Sequence, residues 1–231
     1  MEKPRLNNMN GINAYGTELT PDKIVEKKHR DFVGGLWEEM GQLQFDFLKE
    51  KGLEPHHSLL DVGCGCLRGG LLFIDYLDRG KYFGLDVNSS LIVAAEIEVA
   101  EAGLDDKQPH LLVDDQFRFD RFQEEFDYMV SVSVFTHLPA NTIIRCLVRA
   151  REALKPQGVY YATFFQAPHS AFLESLPHEP GGIVTNYDAD PFHYSQEELT
   201  WMAQVAGLEV NIIGEWNHPR DQRMAVFSFN S

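Results

Sequence analysis

Cysteine is scarce in this chain, with Cys64, Cys66 and Cys146 the only three in 231 residues. An odd, small number without an apolar leader argues against a disulfide framework. The C-x-C pair also lacks the second ligand pair of a structural zinc site, so both cysteines read as small residues beside a turn, and no metal is expected. Long apolar runs are missing too. No stretch approaches the roughly eighteen residues of a membrane span, and Met1–Arg5 offers no core for a secretory signal, so the expected location is cytoplasmic. Positive charge is in deficit, at 20 Lys and Arg against 35 Asp and Glu. The resulting net charge of −15 repels phosphate backbones and anionic lipid surfaces, which argues against nucleic-acid and membrane partners. Internal repeats and low-complexity tracts are absent.

What the chain does have is an ordinary apolar fraction, 44%, enough for one sizeable core. Its organising stretch runs from Ser58 to Gly70, where Leu59-Leu60-Asp61-Val62 breaks into Gly63-Cys64-Gly65. The apolar run fits a buried parallel strand, the glycines a tight turn, and a helix is expected to begin near Leu67. Such a unit presents backbone N–H groups and the positive end of a helix dipole to a ligand. A dinucleotide site wants G-x-G-x-x-G, and here Arg68 occupies the third glycine position.

Asp61-Val62-Gly63-Cys64-Gly65 instead resembles the first motif of class I S-adenosylmethionine-dependent methyltransferases, with Leu67 where that family usually has a third glycine. Phe126-Asp127 leading into a strand, and Leu154-Lys155-Pro156-Gln157-Gly158 after a helix, resemble the family's later motifs. The resemblance covers residues 55–231. It implies an α/β fold with a doubly wound, mostly parallel seven-stranded sheet, its last strand antiparallel, and helices on both faces. Residues 1–54 would form an N-terminal arm and helical cap, and 55–231 the cofactor-binding domain. S-adenosylmethionine would lie along Asp61, Gly63, Cys64 and Gly65, with Arg68 either meeting its carboxylate or forming an ordinary surface pair.

In chain order, Thr20-Pro21 reads as a helix start, and the apolar spacing from Phe32 to Leu48 as one amphipathic helix ended by Gly52. Tyr15, His29 and Trp37 are candidate pocket residues or plain packing. Lys81–Val87 is a short second strand. Its terminal Asp86, about twenty residues beyond the glycine turn, is placed to hold both ribose hydroxyls, with Val87 beside it; a helix-capping role competes. Methyltransferases and nicotinamide enzymes share that carboxylate. A helix from Ser89 to Ala102 and a third strand from His110 follow, after which the family places an acid against the adenine amino group. Asp115 takes that role with Gln116 beside it, and Asp114 is the alternative.

Beyond the fourth strand, Ser131 to His137 should reach donor and acceptor, whereas Asp127 at its start is structural. His137 is the candidate base, with His193 a second candidate; helix entry and ligand binding are the competing roles. The irregular stretch Gln166–Tyr194 has the length of a lid. Ser195-x-x-Glu198 is a capping box closed by Gly207. His218 and Arg220 lie between the last two strands, and Arg220 is a candidate for binding an acidic acceptor. The expected activity is methyl transfer to oxygen or nitrogen of a small molecule. A protein side chain as acceptor, a non-catalytic cofactor-binding module and a nicotinamide dehydrogenase are the alternatives.

Overall fold

A computed structural model describes residues 16–229 of the chain. Three helices lead: α1 (Pro21–Val25), α2 (Lys28–Phe32) and α3 (Trp37–Glu50). The apolar spacing from Phe32 to Leu48 predicts one helix, yet the chain turns between α2 and α3. Gly34, Gly35 and Leu36 all take positive φ there, at 96°, 62° and 49°, which no right-handed helix accommodates. Strand and helix then alternate through β1 (Leu59–Val62), α4 (Gly70–Tyr76), β2 (Tyr82–Asp86), α5 (Ser89–Glu101), β3 (His110–Val113), β4 (Phe126–Ser131), α6 (Ala140–Ala153) and β5 (Leu154–Gln166). The lid stretch holds β6 (Leu176–His178), β7 (Ile183–Thr185) and β8 (His193–Tyr194), and α7 (Gln196–Ala206), β9 (Glu209–Gly214) and β10 (Arg223–Ser228) complete the order.

The main sheet runs β3-β2-β1-β4-β5-β10-β9, with β8 added in parallel to the end of β5. Its first five strands are parallel, and β10 is antiparallel to both neighbours, as the resemblance implies. Two expected boundaries move. The helix after the glycine turn starts at Gly70, because Leu67 sits at φ 71° and residues 64–69 are spent on turns. The fifth strand starts at Leu154, because Pro156-Gln157-Gly158 is absorbed as an irregularity in its pairing with β4.

Alternation along β1 explains the two cores. Leu60 faces α6 and α7, among Met129, Ile143, Leu147, Tyr160 and Met202, while Leu59 faces α3, α4 and α5, among Phe47, Phe73, Tyr82 and Ile92. Both leucines are fully buried. The N-terminal helices are pinned across α5. Ile24 packs with Cys66, Leu91 and Ala94, and buried Glu98 accepts from His29 Nε2 at 2.7 Å and from Arg30 at 2.8 and 2.6 Å. Burial would raise the Glu98 pKa, but the bonds from Arg30 and His29 hold it below the ordinary carboxylate value. Among the described residues no helix is long and apolar enough to cross a membrane.

Candidate active site

The strand order reverses between β2-β1 and β4-β5, and a crevice opens at the carboxyl ends there. Its floor is the turn after β1. Gly63 N and Cys64 N both donate to Leu85 O, at 2.7 and 3.1 Å, which folds the turn against β2. Gly63 has φ 76°, and a Cβ there would lie 2.5 Å from the side chain of Val134. The backbone therefore approaches the cleft more closely than any other residue allows.

Two carboxylates stand on this floor. Asp86 Oδ2 accepts from Gly65 N at 2.9 Å and Oδ1 from Asn88 N at 2.8 Å. Burial raises its pKa, while backbone donors at Asn88, Gly65 and Val87 oppose the rise. Each oxygen keeps a lone pair for a further donor. The capping alternative for Asp86 falls to Asn88, whose side chain accepts from Ser90 N at the head of α5. Asp61 Oδ2 accepts from the Tyr82 hydroxyl at 2.8 Å. Burial pushes Asp61 up to about 7 against that bond, with Asp86 adding to the rise and Arg68 opposing it.

Asp61, Gly63, Cys64, Gly65, Arg68, Asp86, Val87 and His137 all line this one cleft. Cys64 and Cys66 are free and buried, and burial raises both thiols, Cys66 to about 12. Arg68 also donates to Val33 O at 2.9 Å and to Gly35 O at 3.0 Å, tying the turn between α2 and α3 to the cleft rim.

Other sequence candidates fall elsewhere. Ser131 is fully buried and accepts from the Tyr160 hydroxyl at 3.0 Å, because it still belongs to β4 and faces the α6 side; Val132, Ser133 and Val134 line the cleft instead. Asp115 and Gln116 bond each other at 3.0 Å on the loop after β3, outside the cleft lining. Asp114 is used within that loop, accepting from Gln116 N and Arg118 N at 2.8 and 3.0 Å. The residue that does enter the cleft is buried Phe117, at φ 56°, which sequence reasoning missed although an aromatic stood beside the chosen acid.

His193 is fully buried with both ring nitrogens engaged, Nδ1 by Thr185 Oγ1 and Nε2 by Phe172 O, each at 2.8 Å. It braces the lid and reaches no reactant. His29 is the α5 anchor, Trp37 stacks under Arg30 at 4.4 Å, and Tyr15 lies outside the described residues. Asp127 accepts from Ser58 N and Lys155 Nζ, the structural role expected of it.

His137 sits on the turn leaving β4, and its Nδ1 meets Asp190 Oδ1 at 2.5 Å. A carboxylate only accepts, so it is Nδ1 that donates in this pair. Asp190 arrives from the lid, docked nearby by Phe192 N donating to Thr136 O at 2.7 Å. No periodicity or motif marked it in the sequence.

Residues 60–160 match a protein-family model described as a methyltransferase domain. That match, together with the methyltransferases among similar solved structures, is consistent with a class I S-adenosylmethionine-dependent methyltransferase. A ubiquinone biosynthesis O-methyltransferase of Hahella chejuensis is 26% identical over 168 residues, covering 66% of this chain and 67% of that protein. Among solved structures, the CcbJ methyltransferase of Streptomyces caelestis superposes with a TM-score of 0.62 at 15% identity, covering 83% of this methyltransferase and 90% of that chain. The magnesium protoporphyrin IX methyltransferase of Synechocystis PCC 6803, solved with bound S-adenosylhomocysteine, gives 0.61 at 13% identity, covering 94% and 90%. At these identities the solved structures speak for the fold.

Proposed function

We propose that this methyltransferase transfers its methyl group to a hydroxyl oxygen, or to a nitrogen, of a small-molecule acceptor, with His137 as the general base. The observation that carries the reading is the His137–Asp190 pair on the cleft wall. S-adenosylmethionine supplies a methyl group already activated on a sulfonium. The floor fits that cofactor: Asp86 offers remaining lone pairs to two ribose hydroxyls, the close backbone at Gly63 and Gly65 leaves room for the methionine portion, and Phe117 offers a ring face to adenine. Asp115 and Gln116 then serve at the edge of the adenine pocket.

Positioning supplies most of the rate in such a transfer. A hydroxyl acceptor must also lose its proton, and His137 Nε2 takes it while Asp190 steadies the imidazolium through Nδ1. The residues proposed to enclose this step come from the N-terminal helices α1–α3 and the lid. The three free thiols suit a cytoplasmic enzyme. Two relatives carry names in support: the Hahella protein is named an O-methyltransferase of ubiquinone biosynthesis, and the Synechocystis protein a porphyrin methyltransferase. A protein side chain as acceptor is the second reading, and a cleft partly walled by Gly16, Val33 and Gln44 of the N-terminal segment favours the first.

The test is release of S-adenosylhomocysteine from S-adenosylmethionine across a panel of phenols, catechols, aliphatic alcohols and amines. With an acceptor that turns over, His137→Ala should lower kcat by about 10²-fold or more while cofactor affinity changes less than twofold, and Asp190→Asn should follow in the same direction. Full activity of His137→Ala toward a hydroxyl acceptor would remove the base role.

A further inference from the structure

The loop between β9 and β10 (residues 215–222) carries hydrogen-bond donors that the methyl-transfer step does not use. Arg220 is wedged between the cap and the lid. A Cβ on Gly34 would lie 2.8 Å from its guanidinium, a Cβ on Gly181 3.0 Å from its Cγ, and one amino group donates to Gly34 O at 2.6 Å. Gly34 follows Val33, which lines the cleft, so the guanidinium is held one residue beyond the cleft lining, between cap and lid. Among the described residues no carboxylate pairs with Arg220, although the chain carries a net charge of −15. The neighbouring acids are spent elsewhere: Asp221 and Glu215 bind Arg223, and Asp190 binds His137.

Two buried groups on the same loop reinforce this. His218 is 7% exposed, and its Nδ1 accepts from Arg220 N at 3.1 Å, which places the ring proton on Nε2. Burial, with Arg220 and Arg68 nearby, holds His218 down at about 3, so the ring is a neutral donor at any working pH. Gln222 is 3% exposed, and its Oε1 accepts from Thr163 Oγ1 at 2.7 Å and from Ser133 Oγ at 3.1 Å. With the carbonyl committed, its amide group can only donate, beside a residue that lines the cleft. Neither His218 Nε2 nor Gln222 Nε2 has a hydrogen-bond partner among the described residues, and neither is sealed from solvent-sized space.

A cation and two buried donors without a compensating acid on the same loop form the complement of a carboxylate. We propose that Arg220, with His218 and Gln222, binds a carboxylate group on the acceptor molecule, so that the substrate class is a small carboxylic acid bearing the hydroxyl or amine to be methylated. This rests on the methyl-transfer reading above and adds the acceptor's second functional group to it.

The experiment uses the full chain saturated with S-adenosylhomocysteine. Binding of paired probes, 4-hydroxybenzoate against 4-hydroxybenzamide and 3-hydroxybutyrate against 3-hydroxybutyramide, is measured by calorimetry and by the fluorescence of Trp216, whose ring lies 5.5 Å from that of His218. The expected result is that at least one carboxylate binds tenfold or more tightly than its amide. Arg220→Gln should abolish that preference, Arg220→Lys should keep part of it, and both variants should hold S-adenosylhomocysteine as the wild type does. No carboxylate preference in the wild type, or an unchanged preference in Arg220→Gln, overturns the proposal. Failure of the wild type to bind S-adenosylhomocysteine would instead strike the methyl-transfer reading itself, so the two failures are distinct.

Discussion

Asp61→Asn offers a direct test of the electrostatics of the cleft floor. In the folded protein Asp61 is buried beneath the cleft with a pKa of about 7, whereas an unfolded aspartate titrates near 3.9. Between those values the folded state holds a proton that the unfolded state has released, so stability falls as pH rises through the window. About three decades of proton affinity correspond to roughly 4 kcal/mol once the group is fully ionised above pH 7. Asparagine removes the titration while its carbonyl keeps the acceptor for the Tyr82 hydroxyl. The variant should match the wild type near pH 4 and gain on it steadily toward pH 8. At about 2–4 °C per kcal/mol for a chain of this size, the melting temperatures should separate by roughly 10 °C at pH 8. Scanning calorimetry of both proteins without cofactor, at pH 4.5 and pH 8, reads the difference directly, because every other titrating group is shared. A gap that stays constant or narrows as pH rises would refute the reasoning. The same linkage bears on binding: a cationic sulfonium favours ionised Asp61, so cofactor uptake at pH 6.5 should release a fraction of a proton, visible as a buffer-dependent enthalpy.

Asp86→Ala should weaken S-adenosylmethionine binding tenfold or more by calorimetry, since roughly 1.5–3 kcal/mol attaches to hydrogen bonds of a charged group and the N–H groups of Gly65 and Asn88 lose their acceptor as well. Unchanged affinity would exclude Asp86 from the ribose. Glu98→Ala leaves His29 and Arg30 facing a buried gap and should destabilise the protein by roughly 3 kcal/mol, with protease cleavage appearing first between α1 and α3. A melting temperature within a degree of wild type would show that the cap is held by its apolar contacts alone.

Most of the fold was legible because it is written in local chemistry. Glycine at Gly63 and Gly65, the capping box at Ser195 and Glu198, and the terminators Gly103 and Gly207 each meet a backbone need that few other residues satisfy. The floor of the cleft was legible for the same reason, since Asp86 closes β2 and Asp61 stands two residues before Gly63. The acceptor side was not. Asp190 reaches His137 across 53 residues of chain, through an irregular lid whose path no period encodes. His193 looked equivalent to His137 in sequence, and only the partners Thr185 and Phe172 O show it to be a brace. Ser131 failed by a single position: strand alternation sends it under the sheet, and the next residue opens the cleft. Leu36 misled because apolar spacing reports which face is buried and is silent about two glycines breaking the helix just before it.

The distribution of charge around the cleft follows from what each end must hold. On the floor, burial first and the neighbouring Asp86 second disfavour ionisation of Asp61, a destabilising arrangement that a cationic ligand relieves. Beside the turn between α2 and α3 the sign inverts: Arg68 and Arg220 both hold its carbonyls, and they add to burial in suppressing protonation of His218. Under the proposed function, an acceptor entering past the two arginines meets donors first and His137 second, with the acids lying beneath the cofactor. The glycine turn and the two arginines converge on Val33–Gly35, and Thr17 O and Leu19 N are joined to Asn88 and Ser90 beside Asp86. Because the cap touches both the cofactor's end of the cleft and the acceptor's mouth, filling either one stabilises the same set of contacts, and the two ligands should bind with positive coupling.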